Sequence, residues 1–74
     1  MADFGVREVH LYWALRDILR RYGGSVPEHH VVQEITRYDE SYTEKDVEGG
    51  LDKLLKNNDA VFENLSGVKY YSLR

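Results

Sequence analysis

Residues 43 to 58, TEKDVEGGLDKLLKNN, constrain the fold more than any other stretch, because a helix start, a core stripe and a helix stop fall in one run. Thr43 is a good N-cap, and Asp46, three residues on, has the spacing to reach back to the cap in a capping box. Tyr42 stands just before the cap and Val47 at the fourth helical position, the spacing of a hydrophobic staple. Val47, Leu51, Leu54 and Leu55 then recur on one stripe at about 100° per residue. Asn57-Asn58 is a stop signal, since Asn tolerates the left-handed conformation at a helix end. The stretch predicts a helix over 44–57 whose apolar side must find a core.

Its other side suggests a function. Lys45, Gly49, Asp52, Lys53 and Lys56 point away from the predicted core, with Glu44 and Glu48 on a flank. Lysines dominate that outer set in a chain whose net charge is -3. One reading is a locally basic, low-profile face with glycine at its middle. The other is a solvated face balanced by i,i+4 pairs.

Seventy-four residues make one small domain with a modest core. There is no cysteine, hence no disulfide framework and no thiolate metal site. No apolar run approaches the roughly 20 residues of a membrane span. The N-terminus carries Asp3 and Glu8 early and lacks an export-signal layout, so a cytoplasmic location is expected. The acidic sum argues against nonspecific nucleic-acid binding, although one basic face can act against the sum.

Met1 to Gly5 are expected to be frayed. A first helix is predicted over 6–22, with Leu11, Ala14, Leu15, Ile18 and Tyr22 as its core stripe and Gly23-Gly24 as its stop. Val6, Val9 and Trp13 lie roughly opposite that stripe, beside Arg16 and Arg20. Apolar residues on the outer side of a helix mark an interface, and a symmetric homodimer through this helix is expected. In it, Arg16 and Arg20 would meet Glu8 or Asp17 of the second copy. The alternative is that the termini fold over Trp13.

A second helix is predicted over 27–38, opened by Ser25-Val26-Pro27 and burying Val31, Val32, Ile35 and Tyr38. Proline fits the first helical turn. Ser25 and Glu28 have capping-box spacing, and Val26 can form a single strand bridge before the helix starts. His29 and His30 point about 100° apart and lack a second ligand at helical spacing, so no metal site is expected. His30 and Glu34 are placed as a surface pair.

The last segment, DAVFENLSGVKYYSLR, reads as a β-hairpin with strands 60–64 and 68–73. A three-residue loop, Leu65-Ser66-Gly67, would set Phe62 opposite Tyr70 and Glu63 opposite Lys69. Val61, Tyr71 and Leu73 would then face the core. No catalytic constellation is present: Ser66-Gly67 lies in a turn, and Gly49-Gly50 lies inside a helix rather than before one. Neither an enzyme nor a cofactor is expected.

Helix, helix, turn, capped helix and hairpin, in that order, resemble the winged helix-turn-helix domain. The resemblance rests on TEKDVEGGLDKLL at 43–55, AV at 60–61 and YYSL at 70–73, and covers about residues 6 to 74. It implies an α+β fold of three helices with a C-terminal two-stranded β-hairpin wing. It further implies that the 44–57 helix enters the DNA major groove. Glu44, Lys45, Glu48 and Gly49 would then read bases, Lys53 and Lys56 would meet phosphates, and Lys69 and Arg74 would be wing contacts. The function so implied is a small transcriptional regulator binding double-stranded DNA. Winged helices also serve as protein-interaction modules without DNA binding. That alternative would use the Val9–Trp13 patch or the Phe62–Tyr70 face.

Overall fold

A computed structural model describes residues 6–74, with the side chain of Val6 outside the description. The expectation that Met1 to Gly5 are frayed therefore lies outside the described residues. Three helices and three strands follow in the order α1 (Val6–Tyr22), β1 (Val26–Pro27), α2 (Glu28–Tyr38), α3 (Glu44–Lys56), β2 (Ala60–Leu65) and β3 (Val68–Leu73). The fold is α+β, with one antiparallel sheet in the order β1-β3-β2. No described helix is long and apolar enough to cross a membrane.

The start of α3 follows its sequence closely. The Thr43 amide donates to Asp46 Oδ2 at 2.9 Å, and the Asp46 amide donates to Thr43 Oγ1 at 3.2 Å. Both halves of the capping box are thus made. Tyr42 and Val47 are buried, as a staple requires. At the other end Asn57 is the C-cap and Asn58 takes a left-handed φ of 59°. Gly23, at φ 67°, ends α1 in the same way, its amide donating to the Leu19 carbonyl.

The core is built from Leu11, Leu15, Ile18 and Leu19 of α1, Val31 and Ile35 of α2, and Val47, Leu51 and Leu54 of α3. Val26, Ala60 and Tyr71 close it from the sheet. Gly50 is where α3 meets α1: a Cβ there would lie 2.6 Å from Leu15 Cδ1. At Gly50, α3 therefore packs directly on the first helix, against Leu15 and Leu11.

The sheet departs from the expected two-stranded hairpin in three ways. First, Val26 and Pro27 form a third strand on β3, with Val26 opposite Tyr71 and Pro27 opposite Tyr70. Pro27 consequently serves as the N-cap of α2 without a side-chain cap bond, and Ser25 plays no capping part. Second, the hairpin loop has two residues. Ser66 and Gly67 both take positive φ, 54° and 82°, the signature of a type I′ turn. Leu65 is then a strand residue, and the register moves by one: Phe62 faces Tyr71, Glu63 faces Tyr70 and Asn64 faces Lys69. Third, a one-residue shift exchanges the faces of the shifted strand. Ala60, not Val61, is buried, and Val61 is exposed.

Two tyrosines expected inside are outside. Tyr22 and Tyr38 each occupy the last position of a helix, past the rim of the core. Each instead meets a histidine: Tyr22 bonds His30, and Tyr38 stacks on His10 with its hydroxyl 2.8 Å from Nε2. His30 is thus engaged by Tyr22 rather than by Glu34.

Candidate nucleic-acid interface

The residues expected to meet DNA fall into separate groups around α3. Lys45, Gly49 and Lys53 line a groove of about 420 Å³ between α1 and α3, shared with Arg7, Glu8, Tyr12 and Tyr42. Lys53 Nζ lies 4.0 Å from Glu8 Oε2 across this groove. Lys56 Nζ lies 3.2 Å from Asp52 one turn back. Of the three lysines on α3, Lys45 alone has no ion pair among the described residues. The space over Gly49 is open, with no atom within 4 Å of an added Cβ.

Glu44 and Glu48 face the other way, toward the hairpin. Carboxylate oxygens of Glu28, Glu44 and Glu48 all lie within 4.8 Å of one another. Glu28 and Glu44 sit in the first turns of α2 and α3, and the packing of the two helices brings these starts and their acids together. Acids are favoured there by the positive end of each helix dipole. A small hollow beside them is lined by Glu28, His29, Glu44, Gly67, Val68 and Lys69. Lys69 therefore does lie by the start of α3, but among carboxylates. Each carboxylate brings one oxygen to the common point, fewer than the roughly six to eight that calcium takes, and Glu28 is already committed. The buried Tyr71 hydroxyl donates to Glu28 Oε1 at 2.9 Å. Burial first, and then the Glu28 carboxylate, push this phenol well above the usual tyrosine range.

Arg74 is elsewhere. It lines a hollow with Arg20, Gly23, Gly24 and Ser72 at the open end of the hairpin, away from the turn that carries Lys69. The eight residues expected from sequence are not one surface. Glu28 is absent from that set because nothing in its local pattern ties it to Glu44, which is far along the chain. The signal available is that both residues open a helix.

The outer side of α1 matches its expectation more closely. Val9 and Trp13 are 42% and 56% exposed, and the Arg16 guanidinium stacks over the Trp13 ring at 4.8 Å. The C-terminal strand does not cover Trp13; it packs on the core through Tyr71. Arg16 and Arg20 make no ion pair among the described residues. The acids expected to receive them from a second copy are already held within the chain, Asp17 by Arg21 at 3.2 Å and Glu8 by Lys53.

No family model, no curated protein and no solved structure matches the chain.

Proposed function

We propose that the chain is a winged-helix module that binds another protein rather than duplex DNA. The Glu28, Glu44 and Glu48 cluster carries this reading. A duplex entered by α3 and flanked by the wing would bring phosphates against the starts of α2 and α3, where these three carboxylates converge. Like charges in one place act over about a Debye length, roughly 8–10 Å at physiological salt. The turn, Ser66-Gly67, adds no cation to offset them.

The docking face is the outward stripe of α1. Val9 and Trp13 offer exposed apolar area, and Trp is frequently an interface hot spot. Arg16 and Arg20, on the same stripe, have no carboxylate partner among the described residues, which selects a partner segment that is acidic and apolar. Because Glu8 and Asp17 are engaged internally, this charge pattern suits a different protein better than a symmetric α1 dimer. A cytoplasmic setting suits the absence of cysteine.

Double-stranded DNA is the second reading, and the transcriptional-regulator function rests on it. One observation favours it: Lys45 and Lys56 are exposed along α3 with open space over Gly49 between them. A fluorescence titration with mixed-sequence duplex at about 50 mM salt decides between the two readings. The protein-binding reading expects no saturable binding up to about 100 µM protein, weaker than ordinary nonspecific affinities. Micromolar binding that weakens steeply with salt, and that Lys53→Glu reduces for every sequence alike, would restore the DNA reading.

A further inference from the structure

The two edges of the sheet differ. One edge is β1, two residues long, of which Pro27 has no amide to offer. The other is β2, six residues without proline and with a single charge, Glu63. Exposed edges are normally blunted by proline, lysine or a bulge, because a row of unpaired N–H and C=O groups templates another strand. β2 carries no proline, lysine or bulge, and Glu63 is its one protecting charge.

The geometry assigns which groups form that row. Leu65 and Val68 close the two-residue turn, so they are a hydrogen-bonded pair. Hydrogen-bonded pairs alternate along an antiparallel ladder. The Arg74 amide donates to the Asp59 carbonyl at 3.0 Å, which keeps the same phase at the far end. Val61, Glu63 and Leu65 therefore turn their main-chain groups to β3. Ala60, Phe62 and Asn64 turn theirs outward. Within β2 only Ala60 is buried, so the edge from Val61 onward stands clear of the core.

We propose that β2 pairs antiparallel with β2 of a second copy about a two-fold axis at Phe62. A two-fold axis perpendicular to the sheet keeps matching faces together and leaves two central registers, with Phe62 or with Glu63 on the axis. The Glu63 register sets two carboxylates directly opposite, which is unfavourable in a sheet. The Phe62 register sets Val61 opposite Glu63 of the second copy. It also pairs every outward group: Phe62 with Phe62, and Ala60 with Asn64, each pair exchanging both bonds. Phe62 is 45% exposed and its ring lies 5.6 Å from Tyr71. The pairing therefore continues that contact into a row running Tyr71, Phe62, Phe62, Tyr71 across the axis. No other strand is required to match AVFENL; a second copy matches it by symmetry. The patch is small, so the dimer is weak, with Kd in the range of about 10–500 µM. The proposal is independent of what binds α1 or α3.

Because the chain has no cysteine, Phe62→Cys introduces a single thiol. In a hydrogen-bonded pair the Cα atoms are about 5.5 Å apart, within disulfide range. Sedimentation equilibrium of the wild type should show the mean mass rising from 8.7 kDa toward twice that value as concentration increases. Phe62→Lys should stay at the single-chain mass while keeping the wild-type far-ultraviolet spectrum. Under mild oxidation Phe62→Cys should cross-link at least about ten-fold faster than Trp13→Cys, since only the former sits on the axis. A wild type that remains monomeric to about 1 mM overturns the proposal. So does undiminished association of a folded Phe62→Lys, or preferential cross-linking through Trp13→Cys, which would place the two-fold on α1.

Discussion

A methyl group added at Gly50 would meet Leu15 Cδ1 at 2.6 Å, whereas one added at Gly49 would meet nothing. The two glycines cost α3 similar helix propensity, so substitution separates packing from propensity. Gly49→Ala should stabilise the protein by about 0.5–1 kcal/mol, the propensity difference in a helix interior. Gly50→Ala gains the same amount but forces the fully buried Leu15 to shift, an overpacking cost of about 1–3 kcal/mol. Its net effect should be destabilising, and urea midpoints of the two variants should move in opposite directions. A rise in midpoint for Gly50→Ala would show that α1 gives way easily. The capping box makes a second prediction at this scale. The Thr43 amide, donating to the Asp46 carboxylate, holds that carboxyl below its usual range, and the Ser41 hydroxyl and amide do the same for Asp39. A depressed folded pKa means stability that is fully present above the unfolded value, near 4, and is lost as pH falls through the folded value. Asp46→Asn should therefore lower the neutral-pH melting temperature and flatten its acid limb below about pH 4. A parallel downward shift at every pH would mean the carboxylate charge is not what matters.

Helices and hairpin differ in how far their sequence determines them. The bounds of α1 and α3 were legible to within a residue because cap, stripe and stop are local and agree. The core stripe expected for α1 omits Leu19, although it lies one turn past Leu15 on a neighbouring line. It is buried because α1 also packs on β3, which widens the stripe beyond what α2 and α3 require. The hairpin misled for a chemical reason. An opposite-charge pair, Glu63 with Lys69, favours the three-residue loop, yet such a pair contributes only about 0.2–1 kcal/mol. The observed register is the one in which Ala60 and Tyr71 both face the core. Ser66 can follow because a short polar residue tolerates the left-handed region, and Asn64 Oδ1 accepts from the Gly67 amide at 3.1 Å to brace the turn. β1 was visible only as a single bridge at Val26, since two residues carry no periodicity. The scattering of the DNA-binding set was illegible for the same reason as Glu28: helical spacing says which residues share a face, not what stands opposite. The register itself is measurable. Close Hα–Hα contacts belong to non-hydrogen-bonded pairs, so nuclear Overhauser effects should link Phe62 to Tyr71 and Asn64 to Lys69. Ser66→Asn, supplying the favoured Asn-Gly turn, should stabilise the hairpin by about 0.5–1 kcal/mol, and Gly67→Ala should destabilise it. Effects linking Glu63 to Lys69 instead would return the three-residue loop, in which that pair is the non-hydrogen-bonded one.

Across the whole molecule the charges are segregated more than a net of -3 suggests. Glu28, Glu44 and Glu48 converge near the turn end of the hairpin, while Arg20 and Arg74 share a hollow at its open end. The α3 lysines Lys53 and Lys56 are spent on Glu8 and Asp52, and leave little positive field between these poles. If the carboxylates are what excludes a duplex, neutralising them should reveal the shape beneath. Glu28→Gln/Glu44→Gln/Glu48→Gln changes the net charge from -3 to 0, since each substitution removes one negative charge. Glu28→Gln keeps a side-chain oxygen to accept from Tyr71, so the fold should persist, and relief of mutual repulsion should leave the melting temperature equal or higher. Duplex binding should then appear, at least about ten-fold tighter than the wild type, with a salt slope near -3 for three or four phosphates met by Lys45, Lys53, Lys56 and Lys69. Adding Lys45→Ala to the triple variant should remove part of that gain, because Lys45 is the α3 cation with no ion pair to leave among the described residues. Tight binding by the wild type itself would refute the protein-binding reading. A triple variant that stays folded and still ignores DNA would show that the α3 and hairpin surfaces do not form a groove-fitting pair at all. In that case the outward stripe of α1 remains the proposed docking face, and Trp13→Ala becomes the variant that tests it.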